Sequence, residues 1–268
     1  MKQSKVIAIM NEKGGCAKTT TATAMAYLLA KQGKKTALID FDGQANASLL
    51  MGVENPITLE TTISTLLSCV IAEEQLPEPD SYIIHAACGV DLIPANRRLS
   101  TFERDLLSVD FREFILKQYV DTIKDNYDYV LIDCMPQMGT AIVNALMCAD
   151  SLIIPTQTEI LSLQAVRELV KHYAKVKSKP FPFGNPELKI EGILITMDTE
   201  RTIASAQIKE MIDSTFSGKL PVFDTCIPRS AKVAEAAMFG KTICEYMPRN
   251  KAAIAYENFV KELMSHEV

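Results

Sequence analysis

Residues 6–20 read VIAIMNEKGGCAKTT and combine a short apolar run, a pair of glycines and a Lys-Thr-Thr sequence. The apolar run Val6–Met10 is typical of a strand covered on both faces. Gly14 and Gly15 allow the backbone to approach a phosphate group closely, and a helix that begins near Lys18 offers it free N–H groups. The stretch therefore predicts a strand, a phosphate-binding turn and a helix in succession.

In such a turn, Lys18 would contact the β- and γ-phosphates of a nucleotide and the Thr19 hydroxyl would bind Mg²⁺. The usual phosphate-loop pattern, GxxxxGK followed by Ser or Thr, is not met, because position 12 is Glu and position 17 is Ala. On that pattern alone, an ordinary glycine-rich turn is an equally good interpretation. The rest of the sequence has to decide between the two.

Along the chain, short apolar runs alternate with longer helical patterns. The predicted strands are Val6–Met10, Thr36–Phe41, Val90–Ile93, Tyr129–Asp133, Ser151–Pro155, Ile190–Thr196 and Phe223–Ile227. The predicted helices are Thr19–Gln32, Leu99–Leu107, Phe111–Lys124, Thr140–Cys148, Ser162–Lys177, Ala204–Thr215 and Lys251–Met264. This alternation predicts an α/β fold with a doubly wound, mostly parallel sheet flanked by helices. No linker separates two self-sufficient halves, so we expect residues 1–268 to form a single domain.

Composition excludes several classes of protein. The chain has 268 residues, a net charge of −5 and 48% hydrophobic residues, which is typical of a globular protein. No apolar run is long enough to cross a membrane. The seven cysteines are scattered without a CxxC pair, which favours free thiols in a reducing cytosol. The acidic balance argues against constitutive nucleic-acid binding, although the C-terminal half could present a local basic patch.

A second lysine decides how the glycine-rich turn is interpreted. The form KGGxxKT, with Lys13 five residues before Lys18, resembles the deviant phosphate loop of the ParA/MinD family of ATPases. Residues 36–48 (TALIDFDGQANAS) resemble that family's second strand and switch I. Residues 127–139 (YDYVLIDCMPQMG) resemble its Walker B strand and switch II.

Later stretches extend the resemblance over nearly the whole chain. They are IIPTQTE at 153–159, GILITMDTERT at 192–202 and CIPRSAKV at 226–233, and they follow the order and spacing of the family's own segments. No helix-turn-helix extension precedes the first strand. The chain is therefore identified as a member of the ParA/MinD family that is most similar to the short ParA/Soj type.

The resemblance implies roles for individual residues. Lys13 is the family's signature lysine, which reaches across a dimer interface to the nucleotide phosphates of the partner subunit. Asp42 in switch I orients the attacking water, so the implied catalytic set is Lys13, Lys18 and Asp42. The implied nucleotide-binding residues are Lys13, Gly14, Gly15, Cys16, Ala17, Lys18, Thr19 and Thr20 around the phosphates, with Met197, Asp198, Pro228 and Arg229 around adenine. The implied magnesium site, mostly through water, consists of Thr19, Asp40 and Asp133.

The implied function is an ATP-dependent DNA-partition ATPase that uses ATP and Mg²⁺ and hydrolyses ATP slowly without a partner. Its ATP-bound homodimer would bind double-stranded DNA without sequence preference through phosphate contacts. A ParB-like centromere-binding protein would stimulate hydrolysis and release it. The location would be the cytoplasm, on the nucleoid and not on a membrane. The basic residues expected to contact DNA are Arg201, Lys232, Lys241, Arg249 and Lys251.

Four positions depart from the family's pattern. Ala17 replaces the more usual Gly before the phosphate-loop lysine, Gly43 and Ala45 replace Pro and Gly in switch I, and Met135 stands where many relatives have Pro. The changes in switch I could loosen that loop and alter the rate of hydrolysis. ATP binding itself is expected to survive them.

Three other functions use the same fold. A MinD-like membrane ATPase needs a basic amphipathic tail, whereas Lys251–Val268 carries two Lys against three Glu and favours a packed terminal helix. A reductase similar to the nitrogenase iron protein needs two cluster-binding Cys per subunit, and no suitable second Cys follows Cys134. A ligase of the dethiobiotin synthetase kind would lack the later adenine-binding segments in this form.

Overall fold

The computed structural model describes residues 4–136, 139–199, 203–216, 218 and 220–266. The strands are β1 (Lys5–Ile9), β2 (Thr36–Phe41), β3 (Ile84–His85), β4 (Val90–Ile93), β5 (Tyr129–Cys134), β6 (Ser151–Gln157) and β7 (Lys189–Thr196). The helices are α1 (Lys18–Lys31), α2 (Asn46–Leu50), α3 (Ile63–Ile71), α4 (Phe102–Asp105), α5 (Ile115–Ile123), α6 (Thr140–Cys148), α7 (Ile160–Lys177), α8 (Ile203–Phe216), α9 (Ala231–Met238), α10 (Ile243–Tyr246) and α11 (Lys251–Ser265).

The strands form one sheet in the order β3-β4-β2-β5-β1-β6-β7. Every neighbouring pair is parallel except β3 with β4. Asp133 at the end of β5 is in register with Ile9 of β1 and with Asp40 of β2. The carboxyl ends of the three central strands therefore meet at one edge of the sheet, where ligands bind in open α/β folds.

Helices cover both faces of the sheet because successive strand residues point to opposite sides. One buried cluster joins Ile7 and Ile9 of β1 to apolar residues of α1, α9, α10 and α11. The other joins Ala8 of the same strand to α3, α5, α6 and α7. This arrangement confirms the predicted doubly wound, mostly parallel sheet.

The C-terminal helix α11 packs against α1. Its residues Tyr256, Phe259 and Leu263 are buried, as the sequence predicted for a packed terminal helix. The Tyr256 hydroxyl lies 3.2 Å from the Thr21 hydroxyl of α1. The apolar face that a membrane-binding tail would use is thus covered inside the protein.

One predicted strand is wrong. Residues 223–227 make only separate backbone contacts with the edge strand β7, such as Phe223 N–H to Ile193 C=O at 3.0 Å. The backbone N–H groups of Asp224 and Thr225 donate instead to the Glu262 carboxylate of α11, at 2.7 and 3.1 Å. Because these donors are used elsewhere, a continuous strand cannot form.

Two alanines begin helices in a left-handed backbone conformation. Ala17 precedes α1 with φ 64° and Ala45 precedes α2 with φ 56°. These are the positions where the sequence departs from the family's glycine. A Cβ atom in this conformation costs about 1–2 kcal/mol per residue.

We therefore expect Ala45→Gly to raise the free energy of unfolding by about 1 kcal/mol, because glycine adopts a positive φ without strain. Urea denaturation of the nucleotide-free protein measures the change. The control is Ala174→Gly within α7, which is exposed and should lower stability by about 1 kcal/mol. A loss of stability in both variants would show that the backbone at Ala45 is not strained.

Candidate functional site

The glycine-rich turn, which we call the phosphate loop (residues 11–18), lies between β1 and α1 at the carboxyl edge of the sheet. The buried Asn11 side chain fixes its start, donating to Pro155 C=O at 2.7 Å and accepting from Lys13 N–H at 3.0 Å. The Thr196 hydroxyl donates to Cys16 C=O at 3.0 Å, and the Gln157 amide donates to Gly15 C=O at 3.0 Å. Side chains from β6 and β7 thus hold the loop in one conformation.

The loop is shaped to receive an anion. Gly14 and Gly15 are exposed, and a Cβ atom built on either would meet no other atom within 4 Å. Lys18, the first residue of α1, is only 7% exposed, and its ammonium donates to Lys13 C=O at 3.0 Å. The positive end of the α1 dipole and the Lys18 charge therefore act on the same open space.

The predicted metal-binding residues lie beside this loop. Asp40 is fully buried, and its Oδ2 accepts from the Ser48 N–H at 2.8 Å and from the Ser48 hydroxyl at 2.7 Å. Burial raises the pKa of Asp40 to about 7. Asp133 is also fully buried, and neither of its carboxylate oxygens has a hydrogen-bond partner among the described residues.

Asp133 has the environment of a metal-site carboxylate. Burial, followed by the negative charge of Asp40, raises its pKa well above the ordinary value. Two buried carboxylates at the ends of neighbouring strands destabilise each other unless a cation or protons neutralise them. Oxygen donors in this arrangement fit Mg²⁺, which prefers carboxylates, hydroxyls and water.

Because burial raises the pKa of Asp40 from 3.8 to about 7, the folded protein retains a proton that the unfolded chain releases. We therefore expect the metal-free protein to lose stability as the pH rises from about 4 to about 7, on the order of a few kcal/mol. Asp133 contributes in the same direction. Asp40→Asn should flatten this dependence, which urea denaturation at the two pH values measures in the presence of a chelator. If the free energy of unfolding depended equally on pH in the wild type and in Asp40→Asn, the raised pKa of Asp40 would be contradicted.

Lys13 lies at the outer side of the phosphate loop. Its ammonium forms an ion pair with Glu159 and hydrogen bonds with Gln157 Oε1 at 3.2 Å and Ser162 Oγ at 3.0 Å. The next two residues of α7, Ile160 and Leu161, are 70% and 69% exposed. A lysine ammonium and two large apolar side chains therefore share one exposed face next to the phosphates' expected position.

Three of the four residues predicted to bind adenine line a cavity of about 500 Å³ beside the phosphate loop. Met197, Pro228 and Arg229 line it together with Ala17 and Thr20. Asp198 is buried, and its backbone is hydrogen-bonded to both sides of the Pro228 segment, through Ile227 C=O at 2.9 Å and Arg229 N–H at 3.0 Å. The volume is in the range of small-molecule sites and can accommodate a nucleoside.

The remaining predicted residues are more dispersed. Asp42 is partly exposed, and its Oδ1 accepts from the Gln44 N–H at 2.9 Å. Gly43 in switch I is buried, and an added Cβ would lie 2.4 Å from the Ser100 hydroxyl oxygen. Cys16 is buried, and its thiol donates to Lys13 C=O at 3.2 Å. Arg201 lies outside the described residues.

Two of the predicted DNA-binding lysines are paired with carboxylates that lie three or four residues further along the chain. Lys232 contacts Glu235 at 2.5 Å, and Lys241 contacts Glu245 at 3.0 Å. Arg249 and Lys251 are exposed and form no ion pair within the part of the chain that the structure describes. Among the predicted DNA-binding residues that the structure describes, the two without an ion pair therefore lie at the start of α11.

Sequence reasoning missed four residues that shape the site: Asn11, Ser48, Gln157 and Thr196. Gln157 and Thr196 lie in segments that had been matched to the family, but the pattern assigned no contact to them. Gln157 and Thr196 are each the last residue of a mostly apolar strand, and a polar residue in that position is the signal that could have identified these two. None of the four would contact phosphate directly, because each acts by positioning the loop or a carboxylate.

Cys134 is buried, and burial raises its pKa well above the ordinary value. The described residues include no group of three or more His, Cys, Asp or Glu side chains placed to hold a metal ion. All seven cysteines are free thiols, as predicted. No helix in the described part of the chain is long and apolar enough to cross a membrane.

A parallel sheet with a glycine-rich loop, a buried lysine and paired strand-end carboxylates defines a P-loop NTPase. The profile of the family described as "AAA domain" matches residues 4–190. The sporulation initiation inhibitor protein Soj of Bacillus subtilis is 35% identical over 265 residues, which cover 98% of this chain and 99% of Soj. The chromosome partitioning protein ParA of Caulobacter vibrioides is 33% identical over 98% of this chain and 95% of its own.

Among solved structures, cobyrinic acid a,c-diamide synthase from Mycobacterium smegmatis, with bound ADP and magnesium, has a TM-score of 0.82 and 30% identity. The alignment covers 99% of this chain and 96% of that one. From these comparisons and from the geometry of the site, we conclude that the chain belongs to the ParA/Soj family of P-loop ATPases.

Proposed function

We propose that this chain is an ATP-dependent DNA-partition ATPase that acts in the cytoplasm on nucleoid DNA. The observation that carries the proposal is the pair of lysines in the phosphate loop. Lys18 is buried beneath the expected phosphate position, whereas Lys13 lies on the exposed face beside it. The 35% and 33% identities to Soj and a ParA protein support the partition role.

ATP would occupy the space above the phosphate loop. The backbone N–H groups of the loop and the Lys18 ammonium would bind the β- and γ-phosphates, and the cavity beside Met197 and Pro228 would hold adenine. Thr19, Asp40 and Asp133 would hold Mg²⁺, mostly through water, and the ion neutralises phosphate charge in the transition state. Asp42 would orient the water that attacks the γ-phosphate. Phosphoryl transfer asks mainly for such positioning and charge neutralisation.

Lys13 would complete the site of a second subunit. Two of its present partners, Glu159 and Ser162, flank the exposed residues Ile160 and Leu161 at the start of α7. Face-to-face dimerisation would bury the two apolar residues and turn Lys13 towards the partner's phosphates. ATP then favours the dimer because it supplies the negative charge that this lysine needs.

The dimer would bind double-stranded DNA without sequence preference through phosphate contacts. Arg249 and Lys251 are the strongest candidates, because Lys232 and Lys241 are neutralised in part by Glu235 and Glu245. A ParB-like centromere-binding protein would stimulate hydrolysis and release the DNA, and hydrolysis without it would be slow.

Burial of the α11 apolar face argues against the MinD-like alternative, because that class needs this face free for lipid.

DNA mobility shifts with nonspecific duplex test the proposal. We expect binding only with ATP and Mg²⁺, with a steep loss as salt increases. Lys13→Ala should abolish it, and Arg249→Glu with Lys251→Glu should abolish it while preserving the ATP-dependent dimer in light scattering. Lys35→Glu, an exposed lysine before β2, is the matched control. Binding of lipid vesicles without DNA binding in any nucleotide state would overturn the partition role in favour of the membrane class.

A further inference from the structure

A second large cavity lies away from the nucleotide site. It is a groove of about 840 Å³ between α6, the second half of α7, the 3₁₀ turn Arg112–Phe114 and the loop at residues 179–183. We call it the aromatic groove, lined by Phe111, Arg112, His172, Lys175, Lys179 and Phe183. Its volume is within the range of sites that enclose a ligand side chain or a small molecule.

Exposed aromatic side chains are concentrated at this groove. Phe111, Phe181 and Phe183 are 67%, 66% and 71% exposed. Phe181 packs edge-on against Phe114 with 5.9 Å between ring centroids and closes a smaller adjoining cavity with Phe111. Clustered aromatic residues with this exposure are typical of binding surfaces, because water contacts a large apolar area there.

Phe111 is also strained, with φ 53° in the left-handed region. A bulky residue rarely adopts this conformation, and such strain is concentrated at functional positions. Its backbone position places the ring at the mouth of the groove. The fold thus maintains an exposed phenylalanine where a relaxed turn would use glycine or asparagine.

Two amide side chains, the buried Asn144 and the partly buried Asn185, fix both walls of the groove to α6. Asn144 donates to Arg112 C=O at 2.8 Å and accepts from Leu116 N–H at 3.0 Å. Asn185 donates to Leu146 C=O at 3.0 Å and to Ala149 C=O at 2.8 Å. An added Cβ at Gly184 would lie 2.3 Å from Val176 C=O, so the second wall sits directly on α7. A preformed groove lowers the entropic cost of binding.

The charge of the groove is positive. Arg112 is paired with Glu113 at 3.5 Å, which leaves Lys175 and Lys179 as exposed lysines with no ion pair among the described residues. His172 places an imidazole ring on the same wall of the groove. A ligand that is complementary to the lysines of this groove would therefore carry negative charge.

We propose that the aromatic groove binds a peptide segment of a partner protein in which an aromatic or aliphatic side chain is flanked by acidic residues. The apolar side chain would enter between Phe111 and Phe183, and the carboxylates would pair with Lys175 and Lys179. This occupant satisfies both the apolar walls and the charge, whereas double-stranded DNA, whose bases are stacked inside the duplex, would satisfy only the charge. The binding does not depend on nucleotide, so its test is separate from that of the ATPase.

The probe is a displayed library of random twelve-residue peptides, selected on the wild-type protein and counter-selected on Phe111→Gly with Phe183→Ala. Glycine removes the aromatic ring at 111 and relieves the left-handed strain, so this variant is expected to remain folded, which thermal denaturation checks. We expect enrichment of aromatic or aliphatic residues next to Asp or Glu. The affinity of an enriched peptide, measured by fluorescence anisotropy without nucleotide, should fall at least about tenfold in the counter-selection variant.

Charge is tested separately with Lys175→Glu and Lys179→Glu, which should also weaken the enriched peptide about tenfold and should abolish or reverse the loss of affinity that added salt causes in the wild type. The controls are Phe239→Ala, an exposed aromatic after α9, and Lys35→Glu, and both should bind like wild type.

Three outcomes would overturn the proposal: enrichment of basic peptides, no enrichment over the counter-selection, or equal binding of the peptide by all variants. Loss of self-association in the Phe111 and Phe183 variant would assign the groove to a second copy instead, and loss of DNA binding alone in the lysine variant would assign it to nucleic acid.

Discussion

Lys18→Ala is expected to weaken ATP binding at least about 100-fold, a loss of about 3 kcal/mol. The reason is the position of the Lys18 ammonium, which is buried under the phosphate loop and donates to Lys13 C=O at 3.0 Å. Charge-assisted hydrogen bonds of this kind each contribute about 1.5–3 kcal/mol, and this ammonium would make more than one to the phosphates. Titration with a fluorescent ATP analogue in the presence of Mg²⁺ measures the affinity.

The matched control is Lys31→Ala at the other end of α1, an exposed lysine that lies over the Tyr27 ring. It removes the same charge from the same helix and should change the affinity by less than about twofold. If Lys18→Ala bound the analogue within a few-fold of wild type, the phosphates would not lie above this loop.

Asp133→Asn is expected to change activity and stability in opposite directions. ATP hydrolysis should fall at least about 100-fold, because the variant loses a carboxylate that would hold the water shell of Mg²⁺. The free energy of unfolding without nucleotide and metal should rise by about 1–3 kcal/mol, because a buried carboxylate whose oxygens have no hydrogen-bond partner among the described residues becomes a neutral amide. Phosphate release and urea denaturation give the two quantities.

Asp91→Asn in β4 provides the comparison. Asp91 is a partly exposed carboxylate that accepts from the Tyr127 hydroxyl at 3.0 Å and contacts His85 Nδ1 at 2.6 Å. Its loss should lower stability slightly and leave hydrolysis unchanged. A destabilised Asp133→Asn protein with normal hydrolysis would mean that Asp133 is an ordinary buried acid and not part of a metal site.

The sheet and its central helices could be predicted because their periodicity is simple. β2, β4 and α6 have the predicted bounds, and α1 begins and ends one residue before its prediction. β3 has two residues and α2 has five, too short for a period to be recognised. α3 (ISTLLSCVI) mixes Ser and Thr with β-branched residues, so its sequence is typical of no single element, and a capping box between Thr62 and Thr65 fixes its start.

The candidate site could be predicted in part for a related reason. The carboxyl ends of parallel strands meet, so Asp40 and Asp133 were expected near the phosphate loop, and they are in register. The pairing of Lys13 with Glu159 could not be predicted, because it joins residues that are distant in sequence across the exposed edge of two elements. The aromatic groove was missed for the same reason, since Phe111 and Phe183 belong to separate turns.

The cysteines offer a chemical reporter of the phosphate loop. Cys69, Cys88 and Cys226 are partly exposed, whereas Cys16 is fully buried with its thiol on Lys13 C=O, and burial raises its pKa. An alkylating reagent should therefore modify the three partly exposed thiols first and reach Cys16 only when the loop opens. The rate of Cys16 alkylation, followed by mass spectrometry, then reports how often the phosphate loop opens. A ligand bound to the loop should lower this rate.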